Sequence, residues 1–143
     1  MTEEDRQEFL GRFSEGGQVT GFAVMGGVFA EGVDLKGSRL IGVVITGVGL
    51  PQIGIERDLI RDYWNREGVG FEFAYQYPGM NKVLQTAGRV IRDSGDKGIV
   101  CLVDRRFTEM RYRDLFPPEW QVERTPSIEE LETSLARFWQ KSN

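Results

Sequence analysis

The chain has 143 residues, of which 40% are hydrophobic and 28% charged, with a formal net charge of -4 and a pI near 5.0. These values suit one folded domain and exclude both a disordered chain and one that coats nucleic acid through bulk positive charge. A local basic site stays open. One cysteine, Cys101, and no histidine exclude an internal disulfide, a four-cysteine zinc or iron–sulfur site, and the commonest general base. The N-terminal "MTEEDRQEF" is acidic and polar, unlike a signal peptide. No apolar run approaches the roughly 18 residues of a membrane span, so a soluble, cytoplasmic protein is expected.

Residues 2–14 are predicted helical. Thr2 can cap the helix, Glu3 to Asp5 suit its positive end, and Phe9, Leu10 and Phe13 make an apolar stripe. "VTGFAVM", 19–25, reads as a buried strand, followed by the glycine-broken loop "GGVFAEGVDLKGSR". "LIGVVITGV", 40–48, is a second buried strand. Residues 56–66 are predicted helical, with Leu59, Ile60, Tyr63 and Trp64 on one side. After a loop holding Gly68 and Gly70, a helix starts at Pro78 or Gly79 and runs to about Asp93, with Gly95 placed to end it. "GIVCLVD", 98–104, is a third apolar strand, and "QVER", 121–124, a short edge strand. A last helix starts at Ser127, with Glu130 completing a capping box and Ile128, Leu131, Leu135, Phe138 and Trp139 on its buried face. Continuous apolar strands among helices imply an α/β fold, a parallel sheet covered on both faces. Ligands in such sheets bind beyond the strands' C-terminal ends, near Gly26, Gly47 and Asp104 here. Three or four strands make a thin sheet for that architecture, so some strands are hidden or the chain is part of a larger domain.

The 78–93 helix divides its residues by chemistry. With Gln85 at zero on a wheel, Gly88, Arg89 and Arg92 fall near about 300°, 40° and 340°. Val83, Leu84, Ala87, Val90 and Ile91 fall between about 140° and 260°. One side is built to bury; the other carries an amide, a glycine and two guanidiniums. Gly88 would let a ligand approach the helix closely. Two readings fit these residues: a solvated helix end favoured by the helix dipole, or a phosphate site.

The flanks add a family. Gln85, Gly88, Arg89 and Arg92 match the motif VI core Q-x-x-G-R-x-x-R, and "YPG", "KVLQ", "RVIR", "DKG" and "VDRRF" surround it. "GVFAEGVDLKGSRL", with Gly27, Glu31, Gly32 and Asp34 in order, is similar to motif V. From about Val19 to Phe107 the chain resembles the XPD/DinG branch of superfamily-two DNA helicases. The resemblance implies a P-loop NTPase fold: the second RecA-like domain, a three-layer parallel sheet with helices on both faces, here truncated at its N-terminus. It implies one domain over 1–143, and ATP bound with Mg2+ against a first RecA-like domain of the same helicase, which holds most of the Mg2+ ligands. Arg89 and Arg92 become arginine fingers for the γ-phosphate, with Gln85 beside them. Glu31, Gly32, Asp34 and Gly88 become nucleotide-facing. Gly26, Gly27 and Val28 approach single-stranded DNA. Arg105 and Arg106, placed by the pattern at the C-terminal edge of the third strand, either touch DNA phosphate or the motif V acids or are exposed surface arginines. Unwinding in repair or recombination follows from the same resemblance.

The chain contains no G-x-x-x-x-G-K-[ST] phosphate loop and no D-E-A-H-like motif. It is therefore expected to be the C-terminal piece of a longer helicase, inactive alone, with no iron–sulfur cluster and no membrane partner. A dinucleotide site is a rival, since "VMGGVFAEG" follows a strand with glycines, but Gly26, Gly27 and Gly32 miss the G-x-G-x-x-G spacing. A non-catalytic interaction module that kept the fold is the other. Tyr75 and Tyr77 are either buried or stacked on a base.

Overall fold

The computed structural model describes residues 2–27, 29, 35, 37–91 and 95–140. Helix α1, Glu3–Gly11, opens with a reciprocal capping box: Thr2 Oγ1 accepts from Asp5 N–H and Asp5 accepts from Thr2 N–H. Arg39 reaches back to its end, Nη2 donating to Leu10 O at 3.4 Å and Nε to Phe13 O, just beyond the helix, at 2.8 Å. A guanidinium on the orphan carbonyls of a helix C-terminus satisfies them and suits the dipole.

Strands β1, Gly42–Thr46, and β2, Ile99–Val103, pair in parallel, with Val44 beside Cys101. Between them lie α2, Ile55–Trp64, and α3, Tyr77–Ala87. This β-α-α-β crossover is what a parallel pair requires, since no tight turn can join strands running the same way. Helix α3 is preceded by a π-helical turn, Glu72–Gln76, so helix begins before Pro78. Gly70 permits this early start, because a side chain there would strike Asn65 and the Arg61 carbonyl. After β2 come a 3₁₀ turn, Arg105–Thr108, the short α4, Met110–Arg113, and α5, Ile128–Gln140.

One face of the sheet is filled. Ile45, Val48, Met80, Val83, Ala87, Phe107 and Tyr112 form the buried cluster, with Val43, Val100 and Leu102 against it. The other face carries Val44, 65% exposed, and Val103, 55% exposed. Among the described residues the sheet has two strands, fewer than the sequence suggests.

Segment 19–25 is not a strand: Phe22 is 91% exposed. An apolar run becomes a strand only against a partner edge. Gly21 instead lies against the Phe9 and Phe13 rings, where a Cβ would sit 2.7 Å from each. Residues 121–124 form no strand either, and no residue of α5 is buried. Ser127 does cap α5, accepting from Glu130 N–H. Helix α2 is rotated from its pattern, so that half of the apolar stripe faces out. Leu59 and Tyr63 face out, 66% and 65% exposed, while Arg57 points inward to the Ala74 carbonyl. Ile60 is half-buried, and so is Trp64, which stacks on Phe73 at 4.1 Å.

Helix α3 meets β1 almost backbone to backbone. A Cβ on Gly79 would lie 2.5 Å from Val48 O. Gly79→Ala is expected to destabilise the fold by about 1–3 kcal/mol through overpacking, read by urea denaturation. Leu59→Ala, on the outward face of α2, should stay within about 0.5 kcal/mol. Equal effects would show that the α3–β1 approach is not a packing constraint.

Candidate functional site

The polar face of α3 begins at Lys82 and continues to Gln85, one turn on. Thr86 Oγ1 donates to Lys82 O at 2.8 Å. Gln85 is exposed, while Val83 and Ala87 are buried on the opposite side, as the wheel requires. The helix stops sooner than its pattern suggests. Gly88 is the C-cap, and Arg89 and Val90 continue as tight turns, donating to Thr86 O and Ala87 O. Gly95 thus lies past a helix already ended. Because Gly88 closes the helix, the cost of a mid-helix glycine does not apply to it. Its φ of -65° suits any residue. A Cβ there would meet only the Leu84 and Gln85 carbonyls, at 3.3 and 3.7 Å. The backbone does not demand glycine here, and among the described residues the one tight approach a Cβ would make is to the Leu84 carbonyl.

Val90 anchors the turn. It is 3% exposed and fills the space beside Gly98, where a side chain would strike Val90 and the Ile41 carbonyl. Ile99 N–H donates to that same Ile41 carbonyl at 3.0 Å. Arg89, half-buried, is therefore held between an exposed glycine and a pinned valine. Ile91, expected on the buried side, is exposed, because the backbone has left the helical path. Arg92 lies outside the described residues, as do Val28, Glu31, Gly32 and Asp34.

The glycine loop before β1 comes to this helix. Met25 lies against Gly49, whose Cβ would fall 2.9 Å from the Met25 methyl and 3.1 Å from Gly79 O. Gly26 has φ +80°, and a Cβ on it would sit 3.3 Å from Lys82 Cδ and 3.4 Å from Cε. Gly27 N–H closes a turn onto Val24 O at 2.9 Å. Thus Gly26 lies against Lys82, one turn before Gln85 on the polar face of α3. Lys82, which the sequence reading passed over, makes the junction; its place on the wheel, near about 60°, was the available signal.

At the C-terminal edge of the sheet, Asp104 and Arg106 form a closed pair. Arg106 Nε donates to Oδ1 at 3.0 Å, Nη2 to Oδ2 at 2.8 Å and its backbone N–H to Oδ1 at 2.8 Å. These hydrogen bonds hold the Asp104 carboxyl below its ordinary range and raise the Arg106 guanidinium. Arg106 is thus occupied within its own turn, whereas Arg105 is exposed. Tyr75 is buried and packs on Phe71, while Tyr77 meets Phe73 edge-on.

A cleft of about 490 Å³ opens elsewhere, lined by Met110, Arg113, Phe116, Pro117 and Trp120 among others. None of the residues singled out above lines it, so we place the site on α3. The Gln85 amide and Arg89 guanidinium are donors that fit phosphate oxygens. Among the described residues no group of three or more His, Cys, Asp or Glu could hold a metal ion, and no helix is long and apolar enough to cross a membrane.

A family model described as helicase C-terminal domain matches residues 1–123. The chain is 34% identical over 64% of its length to the ATP-dependent DNA helicase DinG of Photobacterium profundum, covering 14% of that protein. It is 33% identical over 61% of its length to the ATP-dependent DNA helicase XPD of Sulfolobus acidocaldarius, covering 17%. It is 31% identical over 68% of its length to the regulator of telomere elongation helicase 1 of Mus musculus, covering 9%. The chain spans less than a fifth of these relatives' length.

The Asp104–Arg106 pair carries a pH signature. A depressed carboxyl contributes stability that is fully present above the ordinary carboxylate value of about 3.9. That contribution is lost as the pH falls through the lower, folded value. Asp104→Asn is expected to cost up to about 1 kcal/mol at pH 7, a partly exposed pair being worth no more. Urea titrations should show the gap to the parent chain closing below about pH 4; a gap independent of pH would count against the pair.

Proposed function

The chain belongs to the helicase C-terminal domain family of XPD/DinG-type helicases, and from that premise we propose that it supplies half of an ATPase site. On this reading residues 1–143 form part of the second RecA-like domain of an ATP-dependent DNA helicase. Arg89 and Arg92 reach the γ-phosphate of ATP held by a first RecA-like domain, which also supplies the phosphate loop and most Mg2+ ligands. A planar, permanently charged fork suits the negative charge spread over the γ-oxygens during phosphoryl transfer. Gln85 hydrogen-bonds beside it, and Gly88 keeps the surface clear. Glu31, Gly32 and Asp34 face the nucleotide, while Gly26, Gly27, Val28 and Arg105 face single-stranded DNA. The working protein translocates on DNA in the cytoplasm, in repair or recombination.

The observation that carries this reading is the contact of Gly26 with Lys82. It joins the glycine loop to the helix bearing Gln85 and leading to Arg89, as coupled DNA and ATP sites require. The uncovered face at Val44 and Val103 supports a three-layer sheet completed by further elements.

The chain alone is expected to hydrolyse no ATP. Supplied with the phosphate-loop domain of an XPD/DinG helicase, it should restore DNA-stimulated hydrolysis. Arg89→Ala in that mixture should cut the rate by about 10³ or more, and Arg89→Lys should recover little, since lysine lacks the planar fork. Robust hydrolysis by the chain alone would sink the reading. Two domains that bind each other without restored activity favour a non-catalytic interaction module.

A further inference from the structure

Lys82 is the one residue at the junction of the two motifs with no role in the reading above. Its side chain is half-buried. Its stem runs over Gly26, with Cδ, Cε and Nζ at 3.3, 3.4 and 3.8 Å from the Cβ position of that glycine. A side chain at residue 26 would crowd the stem, and φ +80° strains any other residue there. Gly26 therefore serves both its own turn and the path of this lysine. Among the described residues no carboxylate lies within ion-pair range of Lys82. By contrast, Arg106 is paired with Asp104, and Arg61 with Asp58 and Asp62. An aliphatic stem laid on backbone, with its ammonium carried to the edge of an exposed loop, is the arrangement by which lysine presents a point charge.

We propose that Lys82, with the Gly26–Gly27 loop, forms a phosphate-binding site for the sugar–phosphate backbone of single-stranded DNA. The site rests on the helicase reading and names a residue for its DNA contact. A lysine ammonium binds a phosphodiester oxygen as a point charge, independent of base sequence. Glycine at positions 26 and 27 lets the strand come close to the protein backbone. Lys82 also stands one turn before Gln85 on the same face of α3. A strand held there is thus fixed to the element that leads to Arg89.

The test measures binding of a fluorescein-labelled oligothymidylate to the 143-residue chain by anisotropy, across a salt series. Lys82→Met keeps the stem on Gly26 and removes the charge; Lys82→Arg keeps the charge. Lys82→Met should weaken binding about fivefold to tenfold near 50 mM salt and lower the slope of log K on log salt by about 0.7, one phosphate's share for a single strand. Lys82→Arg should retain the parent slope. Melting temperatures of the three proteins identify any variant that fails to fold. A parent chain that binds and a Lys82→Met chain with unchanged affinity and slope overturn the proposal and leave the helicase reading standing. Unchanged DNA binding with weakened binding of a fluorescent ATP analogue overturns it too, by moving the phosphate to the nucleotide. A parent chain that binds no oligothymidylate at low salt removes the DNA reading itself.

Discussion

The close approach of α3 to the end of β1 is the constraint on which the rest of the site depends. Gly79 leaves no side chain between its helix and the Val48 carbonyl. That contact brings α3 low over the sheet, where Met80, Val83 and Ala87 meet Ile45 and Phe107. It also leaves Gly49 facing the Gly79 carbonyl and the Met25 methyl. Met25 then delivers Gly26 to Lys82. Among the described residues a chain of small residues, Gly79, Gly49 and Gly26, sets the distance between the loop and the polar face of the helix. Protein interiors resist even one added methylene, so a positioning system built on glycines is stiff without needing polar partners.

Much of this was legible in the sequence. The parallel pair, the helices about it and the division of α3 into buried and polar faces follow from periodicity and glycine placement. What failed did so for physical reasons. The run 19–25 is as apolar as a strand, but an edge to pair with is not encoded in the run itself. Leu59 and Tyr63 share a stripe with Ile60 and Trp64 on a wheel, yet Trp64 is taken by Phe73 and Arg57 by the Ala74 carbonyl. Those two contacts rotate α2 and leave half its stripe outside. The end of α3 was read six residues too late because Val90 and Ile91 continue the apolar pattern. The pattern cannot see that Val90 is claimed by Gly98, at the start of β2, and that the claim bends the backbone out of the helix. The glycine motif around Gly88 and Arg89 was legible as chemistry; Lys82 was not, because its meaning lies in a contact with a residue 56 positions away.

The outward apolar surfaces have a common character. Val44 and Val103 on the open sheet face, Phe22 and Val24 before it, and Leu59 and Tyr63 on α2 are all more than half exposed. Singly exposed apolar residues are ordinary, but contiguous ones mark surfaces that other elements cover. The buried cluster at α3 and one side of β1–β2 lies apart from these exposed side chains, and α3 carries Gln85 and leads to Arg89.

The arginines and the lysine on this face differ in what their placement can do. Arg89 follows a helix end, its backbone N–H donating to Thr86 O beside Val90, which packs at Gly98 before β2. Lys82 sits mid-helix and moves with α3 and the Gly26 loop. The sheet joins the two, because the Ile41 carbonyl accepts from Ile99 N–H and also borders Gly98. The Gly26 turn thus meets α3 at Lys82, and the start of β2 at Gly98 meets both Ile41 and the turn that follows α3. Coupling between sites requires elements with two defined arrangements rather than a soft connection. Here α3 carries Lys82 on regular α-helical backbone, and Arg89 follows where the hydrogen bonds shorten from the α pattern to tight turns, so the two cations stand on different backbone geometries.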